Sequence, residues 1–150
     1  MAMETGIAKY NIENLLEGQQ HSITKTISEQ AVNDFARLSG DVNPLHMEAR
    51  FAQSRGFSGR VVHGALLISY VSELIGVHFP GEKCLLQTIS FKFLSPAYID
   101  DNLMITAVVD QISIEAGVII LKISIENADT NNILAQGKLQ IGFLSESKRQ

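Results

Sequence analysis

Asp41 and His46 are the residues of this sequence best suited by type and spacing to move protons. They lie five positions apart in the segment SGDVNPLH, residues 39 to 46. A carboxylate that is ionised at neutral pH accepts a proton, and an imidazole both donates and accepts one near neutrality. A pair of this kind could act in general acid-base catalysis. The segment also has the composition of a turn before a proline-started helix, so the spacing alone leaves both interpretations open.

A second candidate for chemistry is the glycine-rich segment GFSGRVVHG, residues 56 to 64, which leads into an apolar helix candidate. The first N–H groups of a helix have no intrahelical acceptor and favour negative charge. Gly64 would present such an N–H with no side chain in front of it, which suits a developing oxyanion. Close packing is the structural alternative for this glycine. His63 is expected to pack at the start of the helix.

The first half of the chain predicts helices around these motifs. Ser28 as N-cap and Gly40 as a stop delimit a short amphipathic helix, whose apolar side would carry Val32, Phe35 and Leu38. These positions follow helical spacing. The helix should therefore end directly before the SGDVNPLH segment.

Two further helices are predicted downstream. Asn43 is a good N-cap, and Pro44 suits the first helical position, so the second helix should run through LHMEARFAQS and hold His46 in its first turn. The third, VVHGALLISYVSELIG, is apolar nearly all round. Its composition predicts a buried core helix.

The second half of the chain predicts β-strands. The segments LQTISFKFLS, NLMITAVVDQI, VIILKISIEN and ILAQGKLQIGFL are rich in strand-forming residues, and turn-forming residues separate them. Ile89, Phe91 and Phe93 alternate with more polar positions. The pattern predicts an antiparallel meander. With the apolar helix, it indicates an α+β fold in which an antiparallel sheet of about five strands wraps around a long central helix.

The composition fits one domain over residues 1–150, with a core at about 22–143 and short polar tails. The chain has 150 residues, of which 45% are hydrophobic and 19% charged, and its net charge is −4. Without a cluster of basic residues, nucleic acid is not an expected partner. No segment approaches the roughly 20 apolar residues of a membrane span, and the N-terminus does not resemble a signal peptide, so a cytoplasmic location is expected. The lone Cys84 is expected to be a small buried side chain.

Residues 34 to 76 resemble the signature region of the MaoC-like hydratases, the (R)-specific enoyl-CoA hydratases of the hot-dog fold. The elements D-x-N-P-L-H and V-V-H-G and their spacing carry the resemblance, which extends more weakly through SFKFLSPAYIDDNL to cover roughly residues 22 to 143. Two positions depart from the family. Ala65 stands where methionine is common and could change the acyl pocket, and Asp100 stands where a turn usually has glycine.

The resemblance implies a role for each matching residue. Asp41 and His46 match a catalytic dyad that binds one water, and Gly64 matches the glycine whose N–H polarises the thioester carbonyl. Asn43 matches a loop residue whose amide supports the dyad, and Ser72 matches a helix serine that hydrogen-bonds near it. From its position, Ser72 could instead bond the carbonyl one helical turn back. We assign Asp41 as principal base and His46 as the acid/base that orients the water, although the opposite assignment is open.

The implied activity is that of a hydro-lyase that adds water reversibly to trans-2-enoyl-CoA. Dehydration of 3-hydroxyacyl thioesters on an acyl carrier protein and non-catalytic binding of acyl thioesters are the alternatives. No cofactor is expected, and no resident metal, since paired cysteines and H-x-x-x-H spacing are absent from the sequence. Arg55, Arg60 and Lys92 could reach coenzyme A phosphates, but such side chains are ordinarily solvated, so none is assigned.

The resemblance also implies assembly. A single hot-dog unit leaves a sheet edge and one side of its helix uncovered. The family covers these surfaces by forming dimers with active sites at the subunit interface. We therefore expect a homodimer or a dimer of dimers.

Overall fold

One antiparallel sheet of five strands dominates the fold. The computed structural model describes residues 6 to 145, so of the predicted polar tails outside 22–143, residues 1–5 and 146–150 lie outside the described residues, whereas Ile12 and Leu15 of the N-terminal tail are buried in the core. The strands are β1 (Gln20–Thr26), β2 (Cys84–Phe93), β3 (Asn102–Ser113), β4 (Val118–Asn127) and β5 (Ile133–Phe143). Their order across the sheet is β1-β3-β4-β5-β2.

Among the described residues, four helices precede β2. They are α1 (Glu29–Ser39), α2 (Pro44–Met47), α3 (Ala49–Ser54) and α4 (Gly64–Glu73), and a π-helical turn (Leu74–His78) continues α4. A short 3-10 turn (Ile12–Asn14) precedes β1. No described helix is long and apolar enough to cross a membrane.

The core lies between α4 and the inner face of the sheet. Leu66, Leu67 and Val71 of α4 share one buried cluster with inward residues of the strands, such as Leu121 and Ile125 of β4. The alternation read in VIILKISIEN is thus the alternation between core and surface. The arrangement confirms the predicted α+β hot-dog architecture of a sheet around a central helix.

The predicted helix termini are correct where local chemistry determines them. The Ser28 side chain accepts a hydrogen bond from the Ala31 N–H, and Gly40 ends α1 in the left-handed region at φ 79°. The apolar face was predicted less well. Leu38, expected on it, is 85% exposed, while Val32 and Ala36 are buried. The packing of α1 against the rest of the chain covers the side that holds Val32 and Ala36 and leaves Leu38 in solvent.

The other two helix predictions need correction. The helix expected through LHMEARFAQS is broken at Glu48, whose extended backbone separates α2 from α3. The helix expected to be buried all round has an open side, on which Ala65, Ser69 and Ser72 are exposed. The five strands cover only part of α4, so the small residues on its other side remain uncovered.

The sheet also differs from a simple meander. β3, β4 and β5 are sequential neighbours, but β2 pairs with β5 at one edge rather than with β3. The other edge strand, β1, was not predicted. Its pattern is hard to read because Ile23 is the only large aliphatic residue in QHSITKT.

Two single positions were interpreted correctly. Asp100, where the family usually has glycine, has a φ of 73°, so it occupies the left-handed region that a turn glycine favours. Cys84 is half-buried and its Sγ contacts the Ile75 carbonyl. Burial raises the pKa of the Cys84 thiol. Because the thiolate is the nucleophile, this environment fits a packed side chain rather than a reactive one.

Candidate active site

The loop between α1 and α2 holds Asp41 by its backbone and by one carboxylate oxygen. The Asp41 N–H donates to Ser39 Oγ at 3.1 Å. The Asn43 N–H donates to Asp41 Oδ1 at 3.2 Å, which leaves Oδ2 free to face α2. Asp41 is therefore both a turn former and an available carboxylate.

His46 lies in α2 with one ring nitrogen fixed and the other free. Its Nδ1 lies 2.7 Å from the Val61 carbonyl oxygen, which can only accept, so Nδ1 carries the hydrogen. The neutral ring then presents an unprotonated Nε2. This atom lies 3.7 Å from Asp41 Oδ2. At that distance the two atoms do not bond directly, but one water between them can contact both.

His63 lies behind the dyad and contacts both of its members. It is only 2% exposed. Its Nε2 donates to the Asp41 carbonyl oxygen at 2.9 Å. Its ring stacks on that of His46, with 4.0 Å between the centroids. No described residue bonds His63 Nδ1. His63 thus supports the dyad without facing the substrate space directly.

Gly64 begins α4 beside an open cavity of about 510 Å³, which His46 also lines. As the first helical residue, it has an N–H without an intrahelical acceptor. The Phe93 ring covers its α-carbon closely, because a Cβ built on Gly64 would lie 2.9 Å from Phe93 Cζ. Besides Ser95 and the Phe93 ring, the other lining residues are apolar: Phe57, Val61, Val62, Leu67, Leu94, Pro96 and Ala97. A chain-like apolar group could enter beside the N–H.

The remaining predicted residues lie at differing distances from this cavity. The Asn43 side chain accepts from the Leu45 N–H at 2.9 Å, so its amide caps α2, and its backbone N–H is what contacts Asp41. Ser72 is exposed and does not line the cavity within one chain, so its site role stays a prediction. Lys92 lines a different depression, on the outer face of the sheet.

The dyad and His63 also form a cluster of three possible metal ligands. Atoms of Asp41, His46 and His63 that could bind a metal lie within 4.8 Å of one another. The two imidazole planes, however, are stacked at 27°. Lone pairs lie in the ring planes, so the nitrogens of stacked rings do not converge on one ion at about 2.0–2.1 Å. The arrangement therefore does not fit a metal centre, and the expected absence of a resident metal stays a prediction.

Sequence reasoning missed three contributors to this site. The Val61 carbonyl fixes the His46 tautomer, the Phe93 ring covers Gly64, and the Arg60 side chain contacts the His46 carbonyl. A backbone carbonyl has no sequence signal. Phe93 was assigned correctly to one face of a strand, but its contact with α4 depends on the curvature of the sheet.

Comparison with known proteins places this site in a family. The model of the MaoC like domain matches residues 12–128. The (R)-specific enoyl-CoA hydratase of Rhodospirillum rubrum is 38% identical over 97 residues, which are 65% of this chain and 67% of the relative. A mitochondrial 3-hydroxyacyl-[acyl-carrier-protein] dehydratase of Arabidopsis thaliana is 37% identical over 81 residues, or 54% of this chain and 48% of the relative.

A solved structure agrees over most of the chain. The (R)-hydratase from A. caviae involved in PHA biosynthesis superposes with a TM-score of 0.83 at 28% identity, covering 89% of this chain and 99% of that one. The segment that carries the dyad, His63 and Gly64 falls wholly within the family match. The chain belongs to the MaoC-like family.

Proposed function

We propose that this protein is a hydro-lyase that adds water reversibly to trans-2-enoyl-CoA and forms the (R)-3-hydroxyacyl-CoA. The observation that carries the proposal is the placement of Asp41 Oδ2 and His46 Nε2 at 3.7 Å from each other, with His46 and Gly64 lining the same cavity. The relative in Rhodospirillum rubrum bears the name of this activity.

Water addition forms a C–O bond at C3 and a C–H bond at C2 of the enoyl group. A water held between Asp41 and His46 is activated as one of these groups accepts its proton and its oxygen attacks C3. The electron pair of the double bond moves towards the thioester, and a proton from the dyad completes C2. One water thus supplies all the atoms that are added. Acid-base catalysis of this kind contributes about 10² to 10⁴ in rate.

Gly64 stabilises the negative charge that develops on the thioester oxygen. Its N–H lies at the positive end of α4 and can donate to that oxygen, and a single donor of this type is worth about 10² to 10³ in rate. The two contributions together need no cofactor, so coenzyme A enters only as part of the substrate. Asn43 and His63 act by holding the dyad.

The same site could act on an acyl carrier protein thioester. The plant dehydratase relative favours this second candidate, since its name specifies that carrier. The net charge of −4 counts against it, because acyl carrier proteins are acidic and like charges oppose docking. Coenzyme A thioesters therefore remain our first choice.

The proposal is tested by adding the protein to crotonyl-CoA and following the ultraviolet absorbance of the conjugated thioester. Chiral analysis then identifies the product. We expect absorbance to fall, an (R)-3-hydroxybutyryl product to form, and Asp41→Asn to lower kcat by at least 10² without a change in melting temperature. An (S)-product would contradict the assignment. If crotonyl-CoA is not hydrated, enoyl thioesters of an acyl carrier protein should be hydrated. If these do not react either, the protein binds acyl thioesters without catalysis.

Two further parts of the proposal concern the cellular setting. We propose a homodimer or a dimer of dimers, supported by the apolar side chains exposed on the edge strand β2 and by the open side of α4. We also propose a cytoplasmic location, supported by the single unpaired Cys84, which suits a reducing compartment. Cell fractionation with an antibody against the protein would test the location.

A further inference from the structure

Arg60 is nearly enclosed and makes four polar contacts, although its sequence context suggested a solvated charge. Its side chain is 13% exposed. On one side, its Nε donates to the His46 carbonyl oxygen at 2.6 Å, and an Nη lies 3.7 Å from Met47 Sδ. On the other side, its Nη atoms reach Asn33 Oδ1 at 2.7 Å and Glu29 Oε1 at 3.3 Å. One guanidinium therefore connects α1 with α2.

The backbone next to Arg60 holds the same piece of α2. The Val61 N–H donates to the Leu45 carbonyl at 3.1 Å, and the Val61 carbonyl accepts from His46 Nδ1. His46 is thus held through its ring by residue 61 and through its carbonyl by residue 60. Its orientation depends on where this two-residue segment lies.

Arg60 connects the helix that precedes Asp41 with the helix that holds His46. Asp41 follows the end of α1, and His46 lies in the middle of α2. Within the loop, the Asn43 N–H donates to Asp41 Oδ1 and the Asn43 carbonyl accepts from the His46 N–H, but no loop contact holds Asp41 Oδ2 or His46 Nε2. The hydrogen bonds of Arg60 to both helices limit how far α2 can shift relative to α1.

We propose that Arg60 is a positioning residue that sets the distance between Asp41 and His46 by clamping α2 to α1. The inference rests on the proposed function for its kinetic consequences. Arginine suits the task because its planar fork carries five donors that point in fixed directions, so it can serve a carbonyl, an amide and a carboxylate at once. Lysine would carry the charge without that geometry.

Replacement of Arg60 should impair chemistry more than substrate binding. A displacement of about 1 Å in a catalytic group can cost about 10² in rate. We expect Arg60→Met to lower kcat for crotonyl-CoA 10- to 100-fold and to change KM by less than threefold. The matched control is Arg37→Met, because Arg37 is exposed and pairs only with Asp34 of its own helix. The control should keep wild-type kcat.

Combining substitutions of Arg60 and His46 distinguishes a positioning role of Arg60 from a general loss of structure. If Arg60 acts through His46, Arg60→Met should reduce kcat no further in a His46→Ala background, because residues that act as a unit are not additive. An equal reduction in both backgrounds would overturn the proposal. Rates are to be compared at a temperature where circular dichroism shows each variant folded. Should Arg60→Met not fold, Asn33→Ala removes the anchor on α1 and should show the same non-additivity.

A spectroscopic measurement keeps the inference testable whatever the reaction. In ¹⁵N-histidine NMR spectra, the His46 ring signals should shift in Arg60→Met and stay in place in Arg37→Met. If the wild-type protein does not hydrate any enoyl thioester, the proposed function fails and these spectra alone decide the role of Arg60. Unchanged His46 signals in folded Arg60→Met would overturn it.

Discussion

At the scale of single residues, Asp41 and His46 are both contacted by a third side chain, His63, which does not line the cavity. His63 donates to the Asp41 backbone and stacks on His46, so it contacts both groups. Its buried Nδ1 has no partner among the described residues, and a buried polar atom in that state is costly.

Replacing His63 with phenylalanine distinguishes the effect of its hydrogen bond from that of its ring stacking. His63→Phe keeps an aromatic ring against His46 and removes the Nε2 donor to the Asp41 carbonyl. Because the Asp41 loop loses this hydrogen bond, kcat should fall about tenfold while KM stays nearly unchanged. Removal of the unpaired Nδ1 should offset part of the lost hydrogen bond, which is worth about 1 kcal/mol, so the melting temperature should move only a few degrees. Steady-state kinetics beside thermal melts would check both, and wild-type kcat would show that the donor is dispensable.

The sequence predicts those features of the site that depend on neighbouring residues and misses those that depend on distant ones. Ser28, Gly40, Asn43 and Pro44 act on their immediate neighbours, and their predicted roles at helix termini are confirmed. The contact of Arg60 with His46 joins residues 14 positions apart and depends on how the segment folds back. No pattern of spacing encodes such a contact. The roles proposed for Asp41 and His46 rest on family resemblance rather than on the residues alone.

At the scale of elements, α4 and β2 meet where Gly64 faces Phe93. Gly64→Ala would place a methyl group 2.9 Å from Phe93 Cζ, a contact that requires the ring to move. Because Phe93 is 51% exposed, it can yield without unfolding the chain. The methyl and the displaced ring would then crowd the position of the thioester oxygen. We expect kcat/KM for crotonyl-CoA to fall at least tenfold while the protein stays folded.

Gly76→Ala is the matched control for this substitution. Gly76 lies in the π-helical turn that continues α4, and nothing would lie within 4 Å of an added Cβ there. It should therefore keep wild-type kcat/KM. If Gly64→Ala were as active as Gly76→Ala, the close fit of Phe93 over Gly64 would not limit access to the proposed oxyanion position.

The elements that sequence reasoning misjudged are those whose environment comes from distant parts of the chain. Leu38 fits the helical period of α1 but lies on its exposed side, and β1 has few apolar residues although it pairs with β3 over its whole length. The break at Glu48 likewise has no strong helix-breaking residue at its position. Tertiary packing decides each of these cases, whereas VIILKISIEN, which lies inside the sheet, was predicted over its whole length.

At the scale of the whole molecule, one sheet edge carries apolar side chains that nothing in the described chain covers. β2 is an edge strand, and Leu85, Leu86, Ile89 and Phe93 on it are each at least 40% exposed. Ile89 pairs with the buried Leu139 and so faces the same side of the sheet as the core. An edge of this kind is suited to pairing with a second copy of the chain.

The proposed oligomeric state is supported by that edge and can be tested on it. Sedimentation equilibrium should show a dimer or a dimer of dimers at micromolar concentration, and Ile89→Glu should shift it towards monomer, because a charge buried without a partner costs several kcal/mol. The adjacent Thr88→Glu is the control, since Thr88 faces the outer side of the sheet opposite Gln140 and should leave assembly intact. A wild-type monomer at these concentrations would contradict the prediction. Equal dissociation by both substitutions would show that the strand edge itself, and not its inner face, holds the copies together.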